Sequence, residues 1–246
     1  MAAFTARDTH AVDTTLIPYP ALALVINLGG EIAVGSAERP DTSHGVVVGL
    51  APRGVAGTGR SLECLQVRLS PTISYAMFAG SAELHGHVAD LAAFLGPDAH
   101  RLEHRLRRCE SWRERFEIAR AELLHRAELG RRPDPEVVHA WRRLASSRGN
   151  VRIDALAAEL GWSRKRLWSR FRSQIGLTPK GAAQLVRFDV AARLLVRGTS
   201  PARAAAECGY ADQAHLHRAA RAFTALTPAS IAQAPWLSVD DVAWPR

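Results

Sequence analysis

Two stretches decide how this chain folds: IDALAAELGWSRKRLWSRFRSQ (Ile153 to Gln174) and SPARAAAECGYADQAHLHRAARAFT (Ser200 to Thr224). Each places a small residue four positions before a glycine, Ala157 before Gly161 and Ala205 before Gly209. The alanine lets two helices cross at close range, and the glycine supplies the left-handed backbone of a tight turn between them. Each stretch therefore predicts a helix, a short turn and a second helix. Ser163 is placed to cap the second helix of the first unit, where Leu167 and Phe171, four apart, hold it to a core. Leu216 and Phe223 point inward in the same way in the second unit.

Between the units, Gly176-Leu177-Thr178-Pro179-Lys180 closes one helix and opens a long one from Pro179 to about Val196, with Leu185, Phe188, Ala192 and Leu195 on one face. A rigid helix of roughly 18 residues spans about 27 Å, which suits two helices entering successive major-groove segments on one side of a duplex. Advancing about 100° per residue from the inward positions, the first unit exposes Lys165, Trp168, Ser169 and Arg172, with Arg164 near the edge. The second exposes Gln213, His217, Arg218 and Arg221. Arg and Lys donate to guanine, Gln pairs two ways with adenine, and aromatic or methylene surface meets a thymine methyl. The candidate base readers are thus Arg164, Lys165, Trp168, Ser169, Arg172, Gln213, His217 and Arg218; Ser163, Lys180 and Arg221 are candidate phosphate contacts.

Charge points the same way. The 246 residues are 47% hydrophobic and 23% charged, enough apolar material for one large or two modest domains, and carry a net charge of +8. Residues 1–135 hold 15 Arg against 16 acidic residues, whereas residues 136–235 hold 16 Arg and Lys against 6 acidic ones. A positive excess confined to one block is the footprint of a phosphate-bearing partner, since cations gain affinity by releasing condensed counterions. The competing explanation is a solvated Arg-rich surface, because Arg is frequent throughout the chain. Three scattered cysteines, Cys64, Cys109 and Cys208, fit no disulfide framework, and no apolar run reaches bilayer length. With no signal layout in Met1 to His10, the expectation is a cytoplasmic protein without a membrane partner.

The first half reads as an α+β domain, a β-rich start followed by helices. Ala21 to Leu28, stopped by Gly29-Gly30 and followed by Ile32 to Val34, predicts a hairpin; Gly45 to Leu50 and Leu62 to Leu69 predict further strands. In the last, Leu65, Val67 and Leu69 alternate inward against Gln66 and Arg68, the latter two facing any effector pocket among these strands. Ser70-Pro71 opens a helix, and Ser111-Trp112-Arg113-Glu114 is a capping box ahead of Phe116, Ala119 and Leu123. That capped helix packs in its own domain or pairs with a second copy. Gly130 to Pro135 is polar and proline-rich. The expected organisation is a regulatory domain over 1–130, a linker over 131–135, an all-α domain with two helix-turn-helix units joined by a long helix over 136–235, and a tail over 236–246.

On these residues the chain resembles the AraC family of bacterial transcription regulators. The matches are Ala157-x3-Gly161, Leu167-x3-Phe171 and Gly176-Leu177-Thr178-Pro179, then Gly209-Tyr210-Ala211-Asp212-Gln213-Ala214-His215-Leu216 and Leu226-Thr227-Pro228, across about residues 136–235. Asn27-Leu28-Gly29, Gln66 to Pro71 and Trp141 to Leu144 resemble an actinobacterial branch. The resemblance implies an activator or repressor that binds double-stranded DNA, with an effector-binding or dimerising first domain. The implied partners are a small-molecule effector, RNA polymerase and a second copy of the chain. Four departures stand out: Ala220 at a core position usually held by Phe or Trp, Ala225 in place of a turn glycine, the order Ser169-Arg170, and Arg152 where Ser or Thr often caps the leading helix.

Enzymatic signals are weak. His85-Gly86-His87, His100-x3-His104 and Cys109 have metal-compatible spacing in a half that could form a small barrel, but no acidic ligand follows at a telling interval. There is no phosphate-binding glycine loop and no serine elbow, so no catalytic residue, metal or cofactor is expected. The competing class is a ligand- or metal-binding β-domain protein whose basic half holds nucleic acid without reading it.

Overall fold

The computed structural model describes residues 1–6, 12–15, 17–36, 39–41, 45–51, 55–78 and 80–233; the expected tail over 236–246 lies outside them. Strands β1 (Ala2–Ala6), β2 (Val12–Thr15), β3 (Leu22–Ser36), β4 (Arg39–Asp41), β5 (Gly45–Val48), β6 (Val55–Leu69) and β7 (Val88–Asp90) form one sheet. Its order is β1-β6-β3-β5-β7, with β2 paired on β6 and β4 on β3, and every pairing is antiparallel.

The hairpin expected at Gly29-Gly30 is absent, because β3 continues through both glycines. It pairs with β6 from Leu22↔Leu69 to Ser36↔Val55, shifting register on either side of Gly29. Asn27 Oδ1 accepts the Gly29 N–H at 3.2 Å, so the glycine pair is accommodated as a bulge that leaves the chain direction unchanged. The strand reverses only after Ser36, where β4 folds back on it.

One face of the sheet carries Leu22, Leu24, Ile26, Leu65, Val67 and Leu69 into a core. Helices cover that face: α1 (Pro71–Met77), α2 (Leu91–Leu95), α3 (Asp98–Arg107) and α4 (Trp112–Leu129), with a 3-10 turn at Ser81–Leu84. The caps fall where the sequence places them, Ser70 Oγ accepting from Ile73 N–H and Ser111 Oγ from Glu114 N–H. Helix α4 turns Ala119 and Leu123 into this core, with Trp112 and Phe116 packed against it, which settles its apolar stripe as an internal surface.

The second half is helical: α5 (Pro135–Ser146), α6 (Ile153–Glu159), α7 (Arg164–Ile175), α8 (Pro179–Val196), α9 (Pro201–Glu207), α10 (Gln213–Thr224) and α11 (Pro228–Ala232). Two cores form around it. Trp141, Leu144, Leu156, Leu167 and Phe171 pack on Ala182 and Leu185 of α8. Phe188, Ala192 and Leu195, further along the same helix, pack on Ala205, Leu216, Ala220 and Ile231. The strut α8 thus gives its first half to one unit and its second half to the other. The two turns repeat closely: Trp162 N–H donates to Ala157 O and Tyr210 N–H to Ala205 O, both at 2.9 Å, with φ of 63° at Gly161 and 72° at Gly209. The departure at Ala220 is compensated, since Phe223 stacks on Phe188 at 4.9 Å between ring centroids. Ala225 adopts the left-handed conformation itself, φ 62°, and Arg152 caps α6 without a side-chain hydrogen bond.

The halves share material. Leu50 and Ala51, at the end of β5, belong to the core of the first unit, and Ile17 to that of the second. The 3-10 turn meets α7 where Gly176 caps it; a Cβ there would overlap Ala82 O.

Candidate nucleic-acid interface

Helix α7 is opened by Ser163, whose Oγ accepts the Arg166 N–H at 3.2 Å. Burial of Leu167, Phe171, Gln174 and Ile175 turns the other side outward, and Lys165, Trp168, Ser169 and Arg172 are all exposed on it. Trp168 keeps 47% of its surface in solvent, unusual for a large ring, with the Arg172 guanidinium 5.2 Å above it. Arg164 is exposed too, but its Nε pairs with Asp154 Oδ1 at 2.9 Å, tying α7 to α6. Arg166 was missed by the sequence reading. It is exposed, sits 4.6 Å over the Trp162 ring, and lies about as far around the helix from the inward direction as Lys165 does, so the same periodicity could have found it. The order Ser169-Arg170 has a structural reason: Arg170 grips Asp134 through two hydrogen bonds of 2.7 and 2.8 Å, fixing α7 to the start of α5.

Helix α10 begins at Asp212, whose Oδ1 accepts the His215 N–H at 2.6 Å. Gln213, Arg218 and Arg221 are exposed, and His217 is half-buried because one residue beyond Leu216 it leans toward the core. Small side chains, Ala214 and Ala222, complete the outer face. Lys180 is exposed in the first turn of α8, beside the cap that Thr178 Oγ1 makes to Gly181 N–H at 3.0 Å. The first unit is braced by Glu159, which accepts from His139 at 2.6 Å and Arg143 at 3.2 Å; the His139 hydrogen bond leads in holding the Glu159 carboxyl below its usual range.

Of the two residues expected at an effector pocket, Arg68 lines a cleft. This cleft of about 420 Å³ lies between the sheet and α8, its walls including Tyr19, Arg68, Val186, Val190, Arg193, Arg197 and one carboxylate, Asp189. Arg68 lies 3.9 Å over the Tyr19 ring, while Arg193 is held to Asp189 at 3.1 and 3.2 Å. Gln66 instead faces a cavity of about 20 Å³, within 3.5 Å of the Tyr19 hydroxyl.

No group of three or more potential metal ligands forms among the described residues. His85 Nδ1 bonds Leu50 O at 3.0 Å, and the Cys109 thiol donates to Arg105 O. Cys64, Cys109 and Cys208 are buried free thiols, and burial pushes Cys64 up to about 11.

A family model described as a helix-turn-helix domain matches residues 156–234, the span from α6 through both turns to the end of α11. Residues 156–234 are a helix-turn-helix domain. Over 67 residues the chain is 36% identical to an uncharacterized HTH-type transcriptional regulator, YbfI, of Bacillus subtilis, covering 27% of this chain and 24% of that protein. The chain therefore spans about a quarter of that relative's length. Among solved structures, ToxT of Vibrio cholerae superposes with a TM-score of 0.52 at 11% identity, covering 94% of this chain and 95% of that one. An unsaturated fatty acid-bound ToxT gives 0.51 at 10% identity over 94% of each chain. At such identity the likeness is one of fold, and it extends the two-part plan, a β-rich first half before the helix-turn-helix domain, along nearly the whole chain. Among the described residues no helix is long and apolar enough to cross a membrane.

Proposed function

We propose that this protein is a sequence-specific DNA-binding transcription regulator. In this reading α7 and α10 enter successive major-groove segments, with Arg164, Lys165, Trp168, Ser169 and Arg172 reading bases from the first and Gln213, His217 and Arg218 from the second. Ser163, Lys180 and Arg221 hold phosphates, and Arg166 joins the first unit's contacts. The observation that carries this is the repetition of one turn geometry on a single shared helix, with an outward cationic face on each unit.

The first half, to about residue 130, acts as the regulatory domain, joined through residues 131–135. The arginine-lined cleft between sheet and α8 suits a small amphipathic anion, an apolar body with one acidic group. The fatty acid held by the structural relative supports that ligand class. RNA polymerase and a second copy of the chain complete the proposed partners.

Selection of bound fragments from a random DNA pool, followed by titration of the winning and a scrambled duplex at two salt concentrations, tests the reading. Two recurring elements about one helical turn apart, preferred by roughly 10³-fold or more, are expected. Steep salt dependence with no enriched element would reduce the basic half to an unspecific tether and overturn it.

A further inference from the structure

A second, larger cleft of about 870 Å³ opens where the two helix-turn-helix units and the first half meet. Its walls come from three directions: His85 to His87 after the 3-10 turn, Lys180 and Arg187 on α8, and His215 and Arg218 on α10, with Tyr210 and Phe223 supplying aromatic surface. No Asp or Glu lines it among the described residues. A concave surface with fixed cations and no compensating carboxylate focuses positive potential, and its complementary ligand is an anion.

The cleft is built as well as charged. Arg187 spans its floor, donating to Gly149 O at 2.8 Å and to Gly209 O at 3.4 Å, while its buried Nε–H meets no acceptor among the described residues. The histidine loop is fastened to the end of β5 by Gly86 N–H to Leu50 O at 2.8 Å, Gly49 N–H to His87 O at 3.0 Å and the His85 ring. The His85 ring is anchored through Nδ1 to the Leu50 carbonyl, and His87 is exposed on the same loop. Lys180 and Arg218 face it as exposed cations.

We propose that this cleft is a phosphate-binding site shared by the two halves of the chain, with His87 of the first half and Lys180 and Arg218 of the second as its ligands. The phosphate comes from the DNA backbone or from a free phosphorylated compound; the DNA source rests on the regulator reading above, and the free source does not. In either case the first half is a direct participant in binding anions at the helix-turn-helix domain.

The test uses the full chain with two probes. Inorganic tripolyphosphate is titrated calorimetrically into wild type, His87→Ala, Lys180→Gln and, as a control outside the cleft, Arg120→Gln, an exposed cation of α4; the same proteins are then titrated with a selected and a scrambled duplex. Unchanged melting temperatures establish that the surface variants fold. Expected is one tripolyphosphate site weakened roughly tenfold by His87→Ala and by Lys180→Gln but untouched by Arg120→Gln. If the backbone is the source, both cleft variants also weaken the two duplexes alike, Lys180→Gln lowering the salt slope by about one. Tripolyphosphate binding with no effect on either duplex assigns the site to a free phosphate compound. The proposal is overturned if both cleft variants bind both probes as wild type does, if Arg120→Gln weakens tripolyphosphate equally, or if His87→Ala tightens DNA binding. Loss of duplex preference in wild type with a specific tripolyphosphate site retained would sink the regulator reading alone.

Discussion

Two side chains, Phe223 and Ala225, settle how the second unit accommodates its departures from the family pattern. Phe223 stacks on Phe188 and packs against the core in which Ala220 is fully buried, so a small residue at a core position costs the second unit little. Phe223→Ala should destabilise by about 2–3 kcal/mol, below the 3–5 of a fully enclosed ring because Phe223 is only half-buried, read as a lowered urea midpoint. Ala225 holds φ at 62°, which a Cβ disfavours by about 1–2 kcal/mol. Ala225→Gly should therefore stabilise, by roughly 0.5 kcal/mol after glycine's greater unfolded-state entropy is subtracted, and raise the melting temperature. Lys165→Ala should change base preference at one position of the selected site, whereas Arg166→Ala should weaken all duplexes alike; selection repeated with each variant separates the two roles.

At the scale of elements, α7 is positioned from outside itself. Its cap is Ser163, and its ion pairs reach Asp154 on α6 and Asp134 before α5. Ser163→Ala should cost about 1 kcal/mol in chemical denaturation, the usual worth of an N-cap. The brace between α5 and α6 carries a pH signature. Because the folded-state pKa of Glu159 is depressed, led by its His139 bond, its stabilisation is present above the unfolded carboxylate value of about 4.3 and disappears as pH falls through the lower folded value. Glu159→Gln should flatten that part of the acid limb in melting temperature measured against pH.

For the whole molecule, the contact of the 3-10 turn with the end of α7 couples the two halves. Gly176→Ala has no room beside Ala82 O and would also strain φ at 86°, so the turn must lift from α7. The expected outcome is faster hydrogen exchange in Ser81–Leu84 and across the α7 C-terminus, with the α10 core unchanged. If exchange rises nowhere outside residue 176 itself, the two halves are not mechanically linked at this point.

Local chemistry determined the second half of this protein before any coordinates. Alanine-to-glycine spacing, caps at Ser163, Thr178 and Asp212, and residues repeating four apart are interactions made within a turn or two of the chain, so they are legible in order along it. The outward faces of α7 and α10 followed from that periodicity, with Arg166 overlooked and His217 placed too far out. Long-range pairing decided the rest. Gly29-Gly30 reads as a turn until β6 supplies an equally long partner that carries β3 past it as a bulge. The docking of Leu50 and Ala51 into a helical core, and the meeting of His87 with Lys180 and Arg218, join residues far apart in the chain. Nothing local signals such contacts, because their free energy is realised only when the sheet and the helices have packed.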